Sequence, residues 1–99
     1  MSLRLEAEHF AEVRRILAFW ASGIPVYAFG PRAHGRHYSP SSELGLVFKA
    51  ARVTPYLTIS RVEDAFLLSD LPMRVSISDW HDLSRKVQNA IGAELLQIA

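Results

Sequence analysis

The chain has 99 residues, of which 49% are hydrophobic and 21% are charged, and its formal net charge at pH 7 is +1. This composition excludes disorder as the main state, and the length predicts a single domain over residues 1–99 with one modest core. The absence of cysteine excludes disulfides and thiolate metal sites, while the small net charge argues against nucleic acid as a ligand.

No apolar run is long enough to span a bilayer, and the first residues lack the apolar core of a signal peptide. We therefore expect a cytoplasmic protein without a membrane partner.

The first predicted element is a helix over residues 6–22. Its apolar face comprises Phe10, Val13, Leu17 and Trp20. Phe19 falls on the opposite face, either as a lone exposed residue or as part of a surface for a partner. Gly23 is the candidate C-cap of this helix, and Pro25 prevents its continuation.

Two strands are predicted next, over residues 26–29 and 44–48, because both segments are short continuous apolar runs. Residues 30–42 between them are rich in Gly, Pro and Ser, which predicts a loop that could hold one helical turn. Gly45 interrupts the second strand and marks a bulge or the close approach of another group.

The second half predicts helix, strand and helix. Ser60 and Glu63 fit a capping box, which starts a helix at Ser60 and ends it before Pro72. Alternation over residues 73–78 predicts a third strand, and a final helix follows from Leu83. The apolar positions expected to be buried in the two helices are Val62, Ala65, Phe66 and Leu68, then Leu83, Val87, Ala90 and Ile91. The order of elements predicts an α/β or α+β domain, in which helices flank a small mixed sheet of three or more strands.

The polar residues give only weak functional signals. His34 and His37 share a polar loop without a third ligand nearby in sequence, so solvated histidines are favoured over a metal site. Asp79 or Asp82 is read as a helix cap rather than as half of an acid–base pair. Gly30 and Gly35 flank two arginines at a strand-to-loop junction, which is either an ordinary loop or a cradle for phosphate.

Three segments resemble one family. Residues 26–36 (VYAFGPRAHGR) resemble the strand and G-S-R-A-x-G opening of the minimal nucleotidyltransferases, relatives of the polymerase-beta catalytic domain. Residues 42–46 (SELGL) fall where that family has S-D-x-D-L. Residues 69–80 (SDLPMRVSISDW) resemble its S-D-L-P-x-R-V-D-x-x-D-W segment. The resemblance covers nearly the whole chain and implies the nucleotidyltransferase fold.

The family's activity uses three carboxylates that hold two Mg²⁺ ions on the triphosphate. At the matching positions this chain has Glu43, Gly45 and Ser76, and Pro31 replaces the phosphate-binding Ser. The resemblance therefore implies Glu43 as a residual catalytic acid, a phosphate loop formed by Gly30, Arg32 and Arg36, and no metal site. Asp79 cannot replace the missing acid at Ser76, because three residues along a strand place it on the opposite face.

We expect a catalytically impaired member that serves as a protein-binding regulatory module, like the antitoxin half of a HEPN/MNT pair. The expected partner is a HEPN-type helical protein or a second copy of the chain. No cofactor is expected. The alternatives are a weakly active enzyme, which would need Mg²⁺ and ATP, and a non-catalytic nucleotide-phosphate binder.

Overall fold

The structure is a computed structural model and describes residues 3–99. Its first helix, α1 (Ala7–Trp20), confirms the predicted N-terminal helix with slightly shorter bounds. Val13 and Leu17 are buried as predicted, together with Ile16. Phe19 is 72% exposed, and Trp20 lies at the surface instead of completing the buried face. The helix ends before Gly23, whose φ of +80° turns the chain back toward the first strand.

The sheet has four strands: β1 (Val26–Phe29), β2 (Leu44–Phe48), β3 (Val75–Asp79) and β4 (Leu96–Gln97), in the order β3-β2-β1-β4. β1 runs antiparallel to both β2 and β4, whereas β2 and β3 are parallel. The predicted mixed sheet is thus confirmed, with β4 as an addition. A strand of two residues carries too little periodicity to be predicted.

The helix between the parallel strands, α3 (Tyr56–Leu67), begins earlier than predicted. Ser60 lies inside this helix, so the capping-box prediction was wrong. Pro55 occupies the N-cap with a φ of −55°. Proline is tolerated there because the N–H groups at the start of a helix have no partner within the helix, so its missing N–H costs no hydrogen bond. Val62 and Phe66 are buried as predicted, but Leu68 lies just past the end of the helix and is 85% exposed.

The remaining helices are short. α2 (Pro31–His34) is the single turn in the predicted loop, and a 3-10 turn (Trp80–Asp82) follows β3. The last helix, α4 (Arg85–Gly92), begins after Leu83 because Ser84 is its N-cap and accepts a hydrogen bond from the Val87 N–H at 3.2 Å. Val87 and Ala90 were expected to be buried but are exposed.

The two faces of the sheet differ in cover. Alternate side chains of β1 and β2 point into a core closed by α1 and α3, and these side chains are fully buried: Val26, Ala28, Leu44, Leu46 and Phe48. We call this the core face. The second face carries the intervening residues, which strand register aligns across the sheet: Tyr27, Phe29, Gly45, Val47, Ser76 and Ser78.

Within residues 3–99, no helix combines the length and the hydropathy needed to cross a membrane.

Candidate functional site

The three positions that would carry carboxylates come together on the second face. Gly45 in β2 is the direct register partner of Ser76 in β3. Glu43 immediately precedes β2 and is exposed, and the two-residue alternation of a strand places it on the same face as Gly45. The fold therefore supplies the geometry of a carboxylate cluster, but the sequence supplies one carboxylate.

Gly45 is covered by an aromatic ring. Its register partner in β1 is Phe29, and a Cβ built on Gly45 would lie 3.0 Å from Phe29 Cζ and 3.1 Å from the Phe29 carbonyl oxygen. The pairing of β1 with β2 is uninterrupted, from the pair of Val26 with Phe48 to the pair of Phe29 with Gly45. Of the two predicted explanations for this glycine, the close approach of another group is therefore right and a bulge is wrong. Any side chain at Gly45 requires both the ring and the backbone carbonyl of Phe29 to give way by a few tenths of an ångström.

The predicted phosphate loop begins at Gly30. This residue has a φ of +87° and a ψ of −165°, a conformation open only to glycine, and it is the N-cap of α2. Its carbonyl accepts hydrogen bonds from the N–H groups of Ala33 and His34 at 2.9 and 3.0 Å. No atom lies within 4 Å of a Cβ built on Gly30, so the backbone remains open to a ligand there. Pro31 follows at the first helical position and has no N–H to offer an anion.

Arg32, the first predicted phosphate ligand, is 3% exposed and is used inside the protein. Its guanidinium donates hydrogen bonds to the carbonyls of Ser42 and Arg4, both at 2.7 Å, and of Pro40 at 2.9 Å. The Arg4 N–H in turn donates to the Arg32 carbonyl at 2.7 Å. These contacts tie the N-terminal segment to both ends of the loop. Arg32 thus has a structural role, and its charge faces backbone carbonyls rather than an open site.

Arg36, the second predicted phosphate ligand, is exposed but paired. Its guanidinium donates a hydrogen bond to Glu94, which lies between α4 and β4. This bond is the main reason why the pKa of Glu94 is below its usual value. His34 Nε2 lies 4.0 Å from the same carboxylate, and its Nδ1 accepts a hydrogen bond from the Arg36 N–H at 2.9 Å. The positive charge of the loop is therefore already balanced by an acid of this chain.

Asp79 has the capping role predicted for it. It is buried, and it accepts hydrogen bonds from the Thr54 N–H at 2.8 Å and the His81 N–H at 2.9 Å. Strand alternation places Asp79 on the core face, away from Ser76. Both carboxylate oxygens are engaged, which leaves this residue outside any metal site on the second face.

The donor set on the second face does not fit a two-magnesium centre. Two metals about 4 Å apart need carboxylates that bridge them or bind each of them. Glu43 alone cannot do this, Gly45 offers no ligand, and Ser76 offers a neutral hydroxyl. With these residues the second face offers one carboxylate, Glu43, which lies exposed at its margin.

Sequence reasoning missed two features of this region. Glu94 lies 58 residues from Arg36, and no local pattern connects them. The internal role of Arg32 was also missed, since an arginine between glycines looks the same whether it binds an anion or a carbonyl. The glycine at position 35 was the one sequence signal of this packing. Its φ is +82°, and a Cβ there would lie 2.7 Å from an Arg4 guanidinium nitrogen.

Comparison with known proteins relates this geometry to one family. The chain is 33% identical over 89 residues to a probable protein adenylyltransferase MntA of Haemophilus influenzae, covering 90% of this chain and 77% of that protein. No family-wide sequence model matches the chain.

Two solved structures share the fold. One is a toxin–antitoxin crystallised with AMP-PNP (TM-score 0.70, 16% identity, 91% of this chain and 72% of that chain). The other is a mutant of the toxin–antitoxin MntA-HpeT (TM-score 0.68, 18% identity, 91% and 71%). With the fold and the identity to MntA in agreement, the chain belongs to the MntA family of minimal nucleotidyltransferases.

Proposed function

We propose that this chain is a minimal nucleotidyltransferase that has lost nucleotidyl transfer and acts as the protein-binding, regulatory half of a two-protein pair. The observation that supports this most strongly is the residue set at the three aligned positions. Gly45 and Ser76 are register partners on adjacent strands, with Glu43 two residues before Gly45, so the cluster has its geometry without its charges.

Loss of catalysis follows from electrostatics. A triphosphate and its metals concentrate charge that an enzyme must balance with fixed carboxylates and cations. Here one exposed glutamate remains, and the two arginines of the loop are engaged with backbone carbonyls and with Glu94. No cofactor is expected for this function, and Mg²⁺ and ATP enter only if activity survives.

A protein partner is supported by two observations. Two solved structures that share this fold are of toxin–antitoxin proteins. Large apolar side chains also remain exposed at the end of α1, namely Phe19 at 72% and Trp20 at 42% exposure. We propose a HEPN-type helical protein as the partner, in keeping with the family's pairing of a nucleotidyltransferase with a helical protein.

The test is a transfer assay with labelled ATP and Mg²⁺, run with the chain alone and with a HEPN-type helical protein from the same genome. We expect a stable complex by size-exclusion chromatography and no label on either protein. Metal-dependent label that disappears in Glu43→Ala would contradict the loss of catalysis. A HEPN-type protein that forms no complex would contradict the regulatory role.

A variant with restored carboxylates makes the assay sharper. Glu43→Asp, Gly45→Asp and Ser76→Asp together should create Mg²⁺ binding, measured by calorimetry, because the strand register pairs Gly45 with Ser76 and strand alternation places Glu43 on the same face. Since the Phe29 ring must move to admit the new Asp, the same triple change with Phe29→Leu is the matched companion. If neither protein binds Mg²⁺ while both remain folded, the carboxylate positions have been assigned wrongly.

Phosphate binding without turnover is a second candidate, favoured by the open backbone at Gly30. It predicts ATP binding that does not depend on Mg²⁺ and that is lost when Gly30→Ala closes the approach.

A further inference from the structure

One edge of the sheet is open. β3 is the terminal strand in the order β3-β2-β1-β4, so only one of its sides is paired. The Leu44 N–H donates to the Arg74 carbonyl at 2.8 Å, which directs the backbone groups of Ser76 and Ser78 toward β2 and those of Val75 and Ile77 outward. Within residues 3–99, these outward N–H and C=O groups of Val75 and Ile77 have no backbone partner.

This edge lacks the usual protection against pairing. Natural edge strands are commonly interrupted by a charged residue, a proline or a bulge. Residues 75–78 contain none of these, and the register to β2 is regular along the whole strand. The charged residue of β3 is its last, Asp79, whose carboxylate is held by the N–H groups of Thr54 and His81. About 13 Å of uncharged strand is therefore available to pair with another strand, given the rise of about 3.3 Å per residue.

Two hollows of mixed polar and apolar lining lie beside the edge, one at each end of α3. The first has a volume of about 460 Å³ and is lined by Phe66, Leu67 and Val75, among others. The second, of about 480 Å³, includes Tyr56 and Ile77 in its lining. Leu67 and Tyr56 are each 82% exposed, so each hollow has a large apolar side chain at its mouth that no part of residues 3–99 covers.

We propose that this edge pairs with the same edge of a second copy of the chain, antiparallel, about a twofold axis at Ile77. Rotation about that axis places the outward residues Val75, Ile77 and Asp79 opposite Asp79, Ile77 and Val75 of the second copy. Each outward N–H then meets an outward C=O, and the two four-stranded sheets become continuous. This inference does not depend on the loss of catalysis.

A second copy fits this edge better than an unrelated extended segment, because the hollow at one end of the edge can cover the exposed side chain at the other end. The twofold brings the hollow with Leu67 of one copy to the hollow with Tyr56 of the other, which covers both side chains.

One pair of opposite charges meets at each end of the paired edge. Arg74 lines the first hollow and Asp82 lines the second, so the twofold brings each Arg74 to the end that holds Asp82 of the other copy.

Sedimentation equilibrium of the full chain, from micromolar to millimolar concentration, tests this directly. We expect a species of twice the 11.1 kDa chain mass that dissociates on dilution. Ile77→Pro removes an outward N–H without touching the ladder to β2, and it should give a monomer at every concentration. Leu67→Arg should weaken the dimer by about tenfold or more, since a charged side chain replaces the apolar contact that pairing buries.

Phe19→Arg is the matched control, because Phe19 is also exposed but lies on α1, which α3 separates from the edge. It should leave the dissociation constant unchanged. If Ile77→Pro does not fold, Leu67→Arg decides, and a dimer of wild-type strength in that variant contradicts the proposal. A wild type that is monomeric throughout overturns it and leaves the edge to an extended segment of another protein.

Discussion

The two faces of the sheet carry different kinds of residues. The core face retains its large side chains in full, with Leu44, Leu46 and Phe48 at 0% exposure. The second face carries Gly45 and Ser76 at the positions that the resemblance to the minimal nucleotidyltransferases assigns to carboxylates. Folding depends on buried apolar residues, which on the second face include Val47 at 0% exposure, and not on the chemistry of the residues beside them. We therefore expect mutations of the core face to cost much stability and a mutation at Ser76 to cost little.

The largest expected effect is on the core face. Phe48→Ala should lower the free energy of unfolding by about 3–5 kcal/mol, because the ring is fully buried and its loss leaves a cavity. Ser76→Ala on the second face should change it by less than about 0.5 kcal/mol. Urea denaturation of both variants measures the contrast. A Ser76→Ala cost comparable to that of Phe48→Ala would show that the second face is also required for folding.

An intermediate effect is expected at the loop. Arg32→Met should lower the free energy of unfolding by about 1–3 kcal/mol, because three carbonyls lose their shared donor. Arg36→Met is the control, since it breaks one exposed ion pair, and such pairs contribute little to stability. Equal stability of the two variants would remove the structural role assigned to Arg32.

The smallest effect concerns the pH dependence of the Arg36–Glu94 pair. The hydrogen bond from Arg36 lowers the pKa of Glu94 from its usual 4.5. A carboxyl with a lowered folded-state pKa contributes stability above its ordinary pKa and loses it as the pH falls through the folded value. Glu94→Gln should therefore be slightly less stable than the wild type at neutral pH, with the difference disappearing in acid. A difference that grows on acidification would contradict this assignment.

The parts of the fold predicted from sequence were those with a strong periodic signal. The strands at residues 26–29 and 44–48 and the first helix were predicted nearly to the residue. The start of α3 was misplaced, because Ser60 and Glu63 mimic a capping box whereas Pro55 opens the helix. Burial on α4 was also misjudged, since an apolar stripe does not reveal whether anything packs against it.

The site was predictable only where strand geometry determines it. The alignment of Gly45 with Ser76 follows from adjacent strands, and the resemblance to the family located both residues. The partners of Arg32 and Arg36 could not be predicted, because Arg4 and Glu94 reach them only after the chain has folded. Long-range side-chain contacts of this kind leave no local pattern.

The measurement that tests the central claim most directly is a calorimetric titration of the wild-type chain with ATP, with and without Mg²⁺, beside the variant with three restored carboxylates. The account predicts no Mg²⁺-dependent binding to the folded wild type and measurable Mg²⁺-dependent binding to the restored variant. Mg²⁺-dependent ATP binding by the wild type that is lost in Glu43→Ala would contradict it, and would show that one acid is enough to keep this nucleotidyltransferase site working.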